Sequence, residues 1–217
     1  MNKITYYILF IIIVSCGKLL AQQINIDSLQ KELLVAKEDT DKVTILNTLA
    51  YEFRFANPDT CVYFAKIALN LSEKLNYKIG IAEANLCLGT GYLFLEINDK
   101  ALKYLNIAKL ITEQLINSSK TNNPRNKTIL GRIIHITGLY YHYQGNYTEA
   151  LKWYTKALQI RKELKDEKGI AGSYNNIGNI YSDQGNYTEA LKNHYSSLKI
   201  NEKLKNWNPL KKKKKEN

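Results

Sequence analysis

The residues able to carry chemistry are few: three His, three Cys and 20 Asp or Glu in 217 residues. His135 and His142 lie seven apart within a helical pattern and so share a face. Two helical turns separate them by about 10 Å, too far for both imidazoles to hold one metal directly. No H-x-x-x-H pair or carboxylate-rich set accompanies them. His194 falls in an aromatic column between helices and reads as a packing residue. Gly89-Thr90-Gly91 lies within a helical stretch, not after a strand, so it forms no phosphate loop. There is no G-x-S-x-G, no paired carboxylate motif and no Cys–His arrangement. The expectation is a protein without catalytic residues, metal or cofactor. Cys61 and Cys87 sit at small-residue positions and read as buried hydrophobes, with a disulfide as the alternative.

The elements that position these residues follow from composition and periodicity. The apolar fraction is 45% and the charged fraction 24%, ordinary for a globular chain. Three Cys exclude a disulfide scaffold. The net charge of +11 raises nucleic acid as a partner, but only four of the 31 basic residues are Arg. Arg is the side chain of bidentate phosphate and base contacts. Residues 1–21 carry +2 and residues 211–217 carry +4, leaving +5 on the remainder. The expectation is therefore no nucleic-acid partner.

Met1-Asn2-Lys3 precedes an apolar run from Ile4 to Val14. That run spans about 16 Å as a helix, short of a ~30 Å hydrocarbon core. A basic start, a short apolar run and small residues after it read as a signal peptide over 1–21. One reading cleaves after Ala21. The other takes Ile13-Val14-Ser15-Cys16 as a lipobox with Cys16 lipidated, the only route by which this chain would contact a membrane. Both readings place the mature chain outside the cytoplasm: periplasmic or secreted, or an outer-membrane lipoprotein.

The nonapeptide QGNYTEALK occurs at Gln144–Lys152 and again at Gln184–Lys192, 40 residues later. Two small-residue columns mark weaker copies upstream: Cys61, Ala101, Ala150, Ala190 and Ala50, Gly89, Gly138, Gly178. The polar stretch Asn117–Asn126, with Pro124, reads as a loop insertion between the second and third copies. Within each copy the apolar spacing is helical: Tyr174, Ile177, Gly178 and Tyr181 recur at i, i+3, i+4, i+7. Gly185 suits a helix end, and Thr188-Glu189 opens the next helix. Each copy is thus a helix–turn–helix hairpin, at about 41–76, 80–116, 129–165 and 169–206. Residues 22–40 form a linker and an amphipathic N-terminal capping helix, with Leu29, Leu33 and Ala36 on one face. Residues 207–217, with Pro209 and five Lys, read as a disordered tail. No capping helix follows the last hairpin, so its second helix is expected to leave an apolar face open, available for self-association.

The column Gly138, Tyr141, Gly145, Tyr147, Ala150, Tyr154, Ala157 resembles the tetratricopeptide repeat, over residues 41–206 in all. The resemblance implies an all-α, right-handed superhelical solenoid of four hairpins that binds proteins or peptides and is not an enzyme. The pieces Lys37–Val43, Asn57–Thr60, Lys78–Ala82 and Lys168–Ala171 resemble the exported sensory region of bacterial signalling proteins. In those proteins a membrane helix and a histidine kinase or DNA-binding output follow. The runner-up reading is therefore a truncated or detached sensory input domain without its output.

Carried onto this chain, the family's ligand-facing positions fall on the first helix of each hairpin. They are Asn47, Arg54 and Phe55; Glu83 and Phe94; Arg132, His135, His142 and Tyr143; and Asn175, Asn179 and Asp183. Asn amides can pair with a peptide backbone, and aromatic rings offer apolar contact. The function expected is a polypeptide-binding scaffold in the bacterial envelope.

Overall fold

The computed structural model describes residues 25–118 and 123–206. The signal segment with Cys16, the start of the linker, the centre of the 117–126 stretch and the Lys-rich tail lie outside the described residues. Every regular element among the described residues is a helix. They are α1 (25–35), α2 (Thr40–Phe53), α3 (Pro58–Lys74), α4 (Lys78–Phe94), α5 (Asn98–Ser118), α6 (Pro124–Tyr143), α7 (Tyr147–Glu163), α8 (Glu167–Asp183) and α9 (Tyr187–Asn206). This is the all-α repeat solenoid expected. The chain divides at Ile97/Asn98 into two compact units, one carrying α1–α4 and the other α5–α9. The division falls at the turn inside the second expected hairpin.

The helix boundaries have local causes. Asn57, Asn146 and Asp166 each accept a hydrogen bond from the backbone N–H three residues on, at 3.0, 3.2 and 2.9 Å. That satisfies one of the orphan donors of the helix that follows. The repeated Q-G-N-Y-T-E is therefore a helix stop and a helix start fused into one cassette. Pro124 stands at the first position of α6, behind the Asn123 cap. The expected start near 129 moves upstream because a proline there begins a helix instead of breaking one. The 117–126 stretch is correspondingly taken up at both ends by helix.

Five helix ends share one turn. Residues Asn76, Glu96, Gly145, Lys165 and Gly185 all have φ between 51° and 75°. At Gly145 the N–H donates to His142 O, and the next N–H, of Asn146, reaches back to Tyr141 O. The other four positions repeat this pair of bonds. Glycine holds the left-handed position in only two of the five, so the second hairpin, which has no turn glycine in its sequence, still turns in the same way at Glu96.

In the first unit α2, α3 and α4 pack pairwise. Val43, Leu46, Ala68, Leu71 and Ala84 form the core, and Leu33 of α1 packs against it together with Phe64, Leu69 and Tyr77. A Cβ added at Gly91 would lie 2.7 Å from Val62 Cγ2, so α3 and α4 cross there at the closest approach backbone allows. Cys61 and Cys87 are buried thiols not joined in a disulfide. The Cys61 thiol donates to Cys87 O at 3.4 Å and the Cys87 thiol to Asn47 O at 3.6 Å. Burial, then the neighbouring Cys87, pushes the Cys61 thiol well above its ordinary pKa, which suppresses the reactive thiolate.

In the second unit Ala150, Tyr154, Leu158, Ile177 and Ile180 form a core flanked by Leu139, Tyr141, Tyr147, Leu151, Ile170, Tyr174 and Tyr181. Gly138 of α6 faces the Tyr154 ring of α7, where a Cβ would stand 2.7 Å from Cδ1. Forty residues on, Gly178 of α8 faces the His194 ring of α9, where a Cβ would stand 2.8 Å from Cε1. His194 thus fills the tyrosine slot of the fourth hairpin. Gly172, by contrast, has no atom within 4 Å of an added Cβ.

Gly138→Ala should cost about 1–3 kcal/mol, because fully buried Tyr154 has nowhere to retreat. Gly172→Ala should gain up to about 1 kcal/mol from helix propensity alone. Urea denaturation followed by circular dichroism measures both, and equal shifts of the two variants would refute the close-crossing account.

Candidate functional site

The α6 and α8 stripes meet in the second unit. His135 Nε2 lies 3.2 Å from the Asn176 side-chain amide, and His142 Nε2 lies 2.6 Å from Asp183 Oδ2. Both contacts link a residue of α6 to one 41 positions later, so the repeat itself sets the two helices in register. The Tyr154 ring lies beneath both histidines, with ring centroids 5.3 Å from His135 and 6.5 Å from His142.

Arg161, at the end of α7, joins this layer from below. Its Nη1 donates to Ser173 Oγ at 2.7 Å and to Gly169 O at 3.0 Å, and lies 3.2 Å from His135 Nδ1. A guanidinium only donates, so Nδ1 is the accepting nitrogen of a neutral ring and Nε2 carries the proton. The Asn176 atom opposite Nε2 is its amide nitrogen, at 3.2 Å; turning the amide over would bring its oxygen there as the acceptor. Burial and the Arg161 charge hold the His135 pKa down to about 3. His135 is therefore a neutral structural link between α6, α7 and α8 across the physiological range.

The other expected residues divide by exposure. Tyr143 is 57% exposed, and Asn175, Asn179 and Asp183 are also exposed. Asn175 Oδ1 lies 3.2 Å from His194 Nδ1. Arg132 is half-buried on α6. The part of this face that can meet a ligand is thus narrower than the sequence implied. It comprises Tyr143, Asn175, Asn179 and Asp183, with the His142 ring edge at 15% side-chain exposure.

In the first unit Asn47 departs from expectation. It is 6% exposed, and its amide donates to Gly80 O at 3.2 Å, tying α2 to the start of α4. A buried amide committed to a backbone carbonyl is not offered to a ligand. Glu83 is half-buried on α4. Arg54 instead builds a half-buried aromatic cluster in which Phe55 is exposed. Its guanidinium lies over the Tyr51 ring at 3.5 Å and the Phe55 ring at 4.3 Å. Phe55, 61% exposed, meets Phe94 edge-on at 4.9 Å. Stacking of this kind fixes a long side chain and presents a flat apolar–cationic surface.

Among the described residues no group of three or more His, Cys, Asp or Glu could hold a metal ion. No described helix is long and apolar enough to cross a membrane. Sequence reasoning missed Arg161 and Asn176 as partners of His135, and Ser173 as a partner of Arg161. Arg161 left one trace: it is one of four arginines in a Lys-rich chain, and its position one repeat later is Asn201.

If His135 is kept neutral by its surroundings, the unfolded chain takes up its proton near pH 6.5 and the folded chain only near pH 3. The folded state then loses stability as pH falls through that window, by about 2 kcal/mol at pH 5. The His135→Gln variant should lose this component, whatever its stability at pH 7.5. Urea melts at pH 7.5 and 5.0 measure it, and parallel losses in both proteins would contradict the neutral-link assignment.

Comparison with known proteins bears on the fold. No curated protein matches the chain. In structure it is similar to a Rap protein complexed with competence and sporulation factor, at 16% identity and a TM-score of 0.74 over 88% of this chain and 52% of that one. It is also similar to NprR in complex with its cognate peptide NprX, at 16% identity and a TM-score of 0.67 over 85% and 51%. The chain thus spans about half the length of these two proteins. A third likeness is to kinesin light chain TPR-like repeats from Podosopora anserina, at 13% identity and a TM-score of 0.54 over 86% and 89%. Residues 131–203, which hold the glycine–aromatic crossings and the histidine layer, match the family described as tetratricopeptide repeat.

Proposed function

We propose that the chain is a non-enzymatic scaffold that binds an extended polypeptide segment, and that it works outside the cytoplasm. The observation that carries the binding reading is the exposed strip Tyr143, Asn175, Asn179 and Asp183, set on helices linked by the half-buried histidine layer. Two Asn amides supply paired donors and acceptors for a peptide backbone, and the tyrosine supplies apolar contact. Rigid support lowers the ordering cost of binding. The Arg54–Phe55–Phe94 cluster supplies a second, aromatic contact surface on the first unit. Similarity to Rap and NprR, each solved with its peptide or factor, supports a peptide ligand. The export reading rests on the N-terminal apolar run alone.

Selection from a displayed random-peptide library is the direct test. The wild-type protein should enrich a shared motif, and the Tyr143→Ala/Asn179→Ala variant should bind the enriched peptides at least about tenfold more weakly, a loss of about 1.4 kcal/mol. Both positions are exposed, so the fold should be retained by circular dichroism. Enriched peptides that bind both proteins equally would remove this strip as the binding surface. Export is tested separately, by fractionating cells that express the full chain with its N-terminal segment intact; retention in the cytoplasm would refute it.

A further inference from the structure

The outer face of α9 is apolar and open. Tyr187, Leu191, Tyr195 and Leu198 are 72, 71, 66 and 52% exposed. At i, i+4, i+8 and i+11 they form one stripe nearly three turns long. Scattered exposed hydrophobics are ordinary, but a continuous stripe on one helix marks an interaction surface.

The internal repeat identifies what covers such a stripe. Forty residues earlier, Tyr147, Leu151 and Leu158 occupy the same positions on α7. There they share a cluster with Ile170, Tyr174, Ile177 and Tyr181 of α8. The same Tyr, Leu and Leu in the same register are thus half-buried (Tyr147, Leu151) or buried (Leu158) against a helix on α7 and exposed on α9.

The sequence of residues 207–217 does not repeat the apolar pattern of α8. In the 40-residue register Lys211, Lys213 and Lys214 stand where α8 has Ala171, Ser173 and Tyr174, the first two buried and the third half-buried. Charges there would be desolvated without partners.

A second folded copy is also a poor fit. Four side chains on one helix offer a few hundred Å², against roughly 800 Å² per partner in a stable dimer. One helix laid along α9 matches the area available.

The rim supplies the remaining chemistry. Lys192, Lys199 and Lys203 line one flank of the stripe, where α7 has Lys152, Gln159 and Glu163. The change from α7 to α9 makes the flank more basic. Lys192 and Lys203 already meet Glu189 and Glu167 at exposed positions, and such pairs exchange readily with water and other acids.

We propose that the α9 stripe docks an amphipathic α-helix from a partner protein, with apolar residues in the i, i+4, i+7, i+11 pattern of Ile170, Tyr174, Ile177 and Tyr181 and acidic residues along one flank. The docked helix extends the repeat stack by one element. It uses none of the residues assigned to the peptide-binding strip.

The protein's own α8 provides the probe: a labelled peptide of residues Asp166–Gln184, which carries Asp166, Glu167 and Asp183 against one Lys168. Fluorescence anisotropy with the full chain should give saturable binding that weakens as salt is raised. The Leu191→Glu/Leu198→Glu variant should keep its helical circular dichroism and bind at least about tenfold more weakly. An Ile177→Asp peptide should lose binding to the wild type in the same measure. Absence of saturable binding, or equal binding by wild type and variant, would overturn the proposal. So would light scattering showing a concentration-dependent dimer that Leu191→Glu/Leu198→Glu dissolves, since the occupant would then be a second copy.

Discussion

Two helices can approach closely only where one of them has no side chain in the way. In this protein that constraint is met by a glycine facing a large ring: Gly138 under Tyr154 and Gly178 under His194. The ring fills the space that the absent Cβ leaves, so the pair acts as a knob and its hole. Each crossing sets the angle and register of its hairpin. The polar layer above inherits that register, which is why His135 meets Asn176 and His142 meets Asp183 at the same offset. Surface ion pairs such as Lys127–Glu163 at 3.5 Å contribute little beside this packing.

The repeat unit is kept where geometry demands it and relaxed where it does not. The turn between helices needs one residue in the left-handed region, and glycine occupies it at no steric cost. Asn76, Glu96 and Lys165 occupy it at a modest cost, offset by the two backbone bonds that close each helix end. The tyrosine slot tolerates His194 because an imidazole also presents a flat ring to Gly178. The outer face of α9 keeps the apolar residues of α7, although no described element covers them.

Much of the fold was legible from spacing. The 40-residue recurrence, the small-residue columns and the helical apolar period pointed to an all-α repeat. Pro124 was the exception, read as loop when it begins a helix. The candidate site was less legible. First-helix positions such as Asn47 and Asn179 look alike in sequence, yet one is buried against Gly80 O and the other faces outward. A helical face is about a third of the circumference, and a small rotation decides which edge of it is covered.

The sequence by itself determined the helices and the turns between them. Capping, glycine placement and apolar period are local properties of the chain, written within a few residues of where they act. Only the tertiary structure decided which polar side chains meet. Arg161 is 26 residues from His135, and Asn176 is 41. Their meeting depends on how α6, α7 and α8 lie against one another, and no local pattern encodes that. The same holds for α9: its stripe is written in the sequence, but that it stands open is a fact of packing.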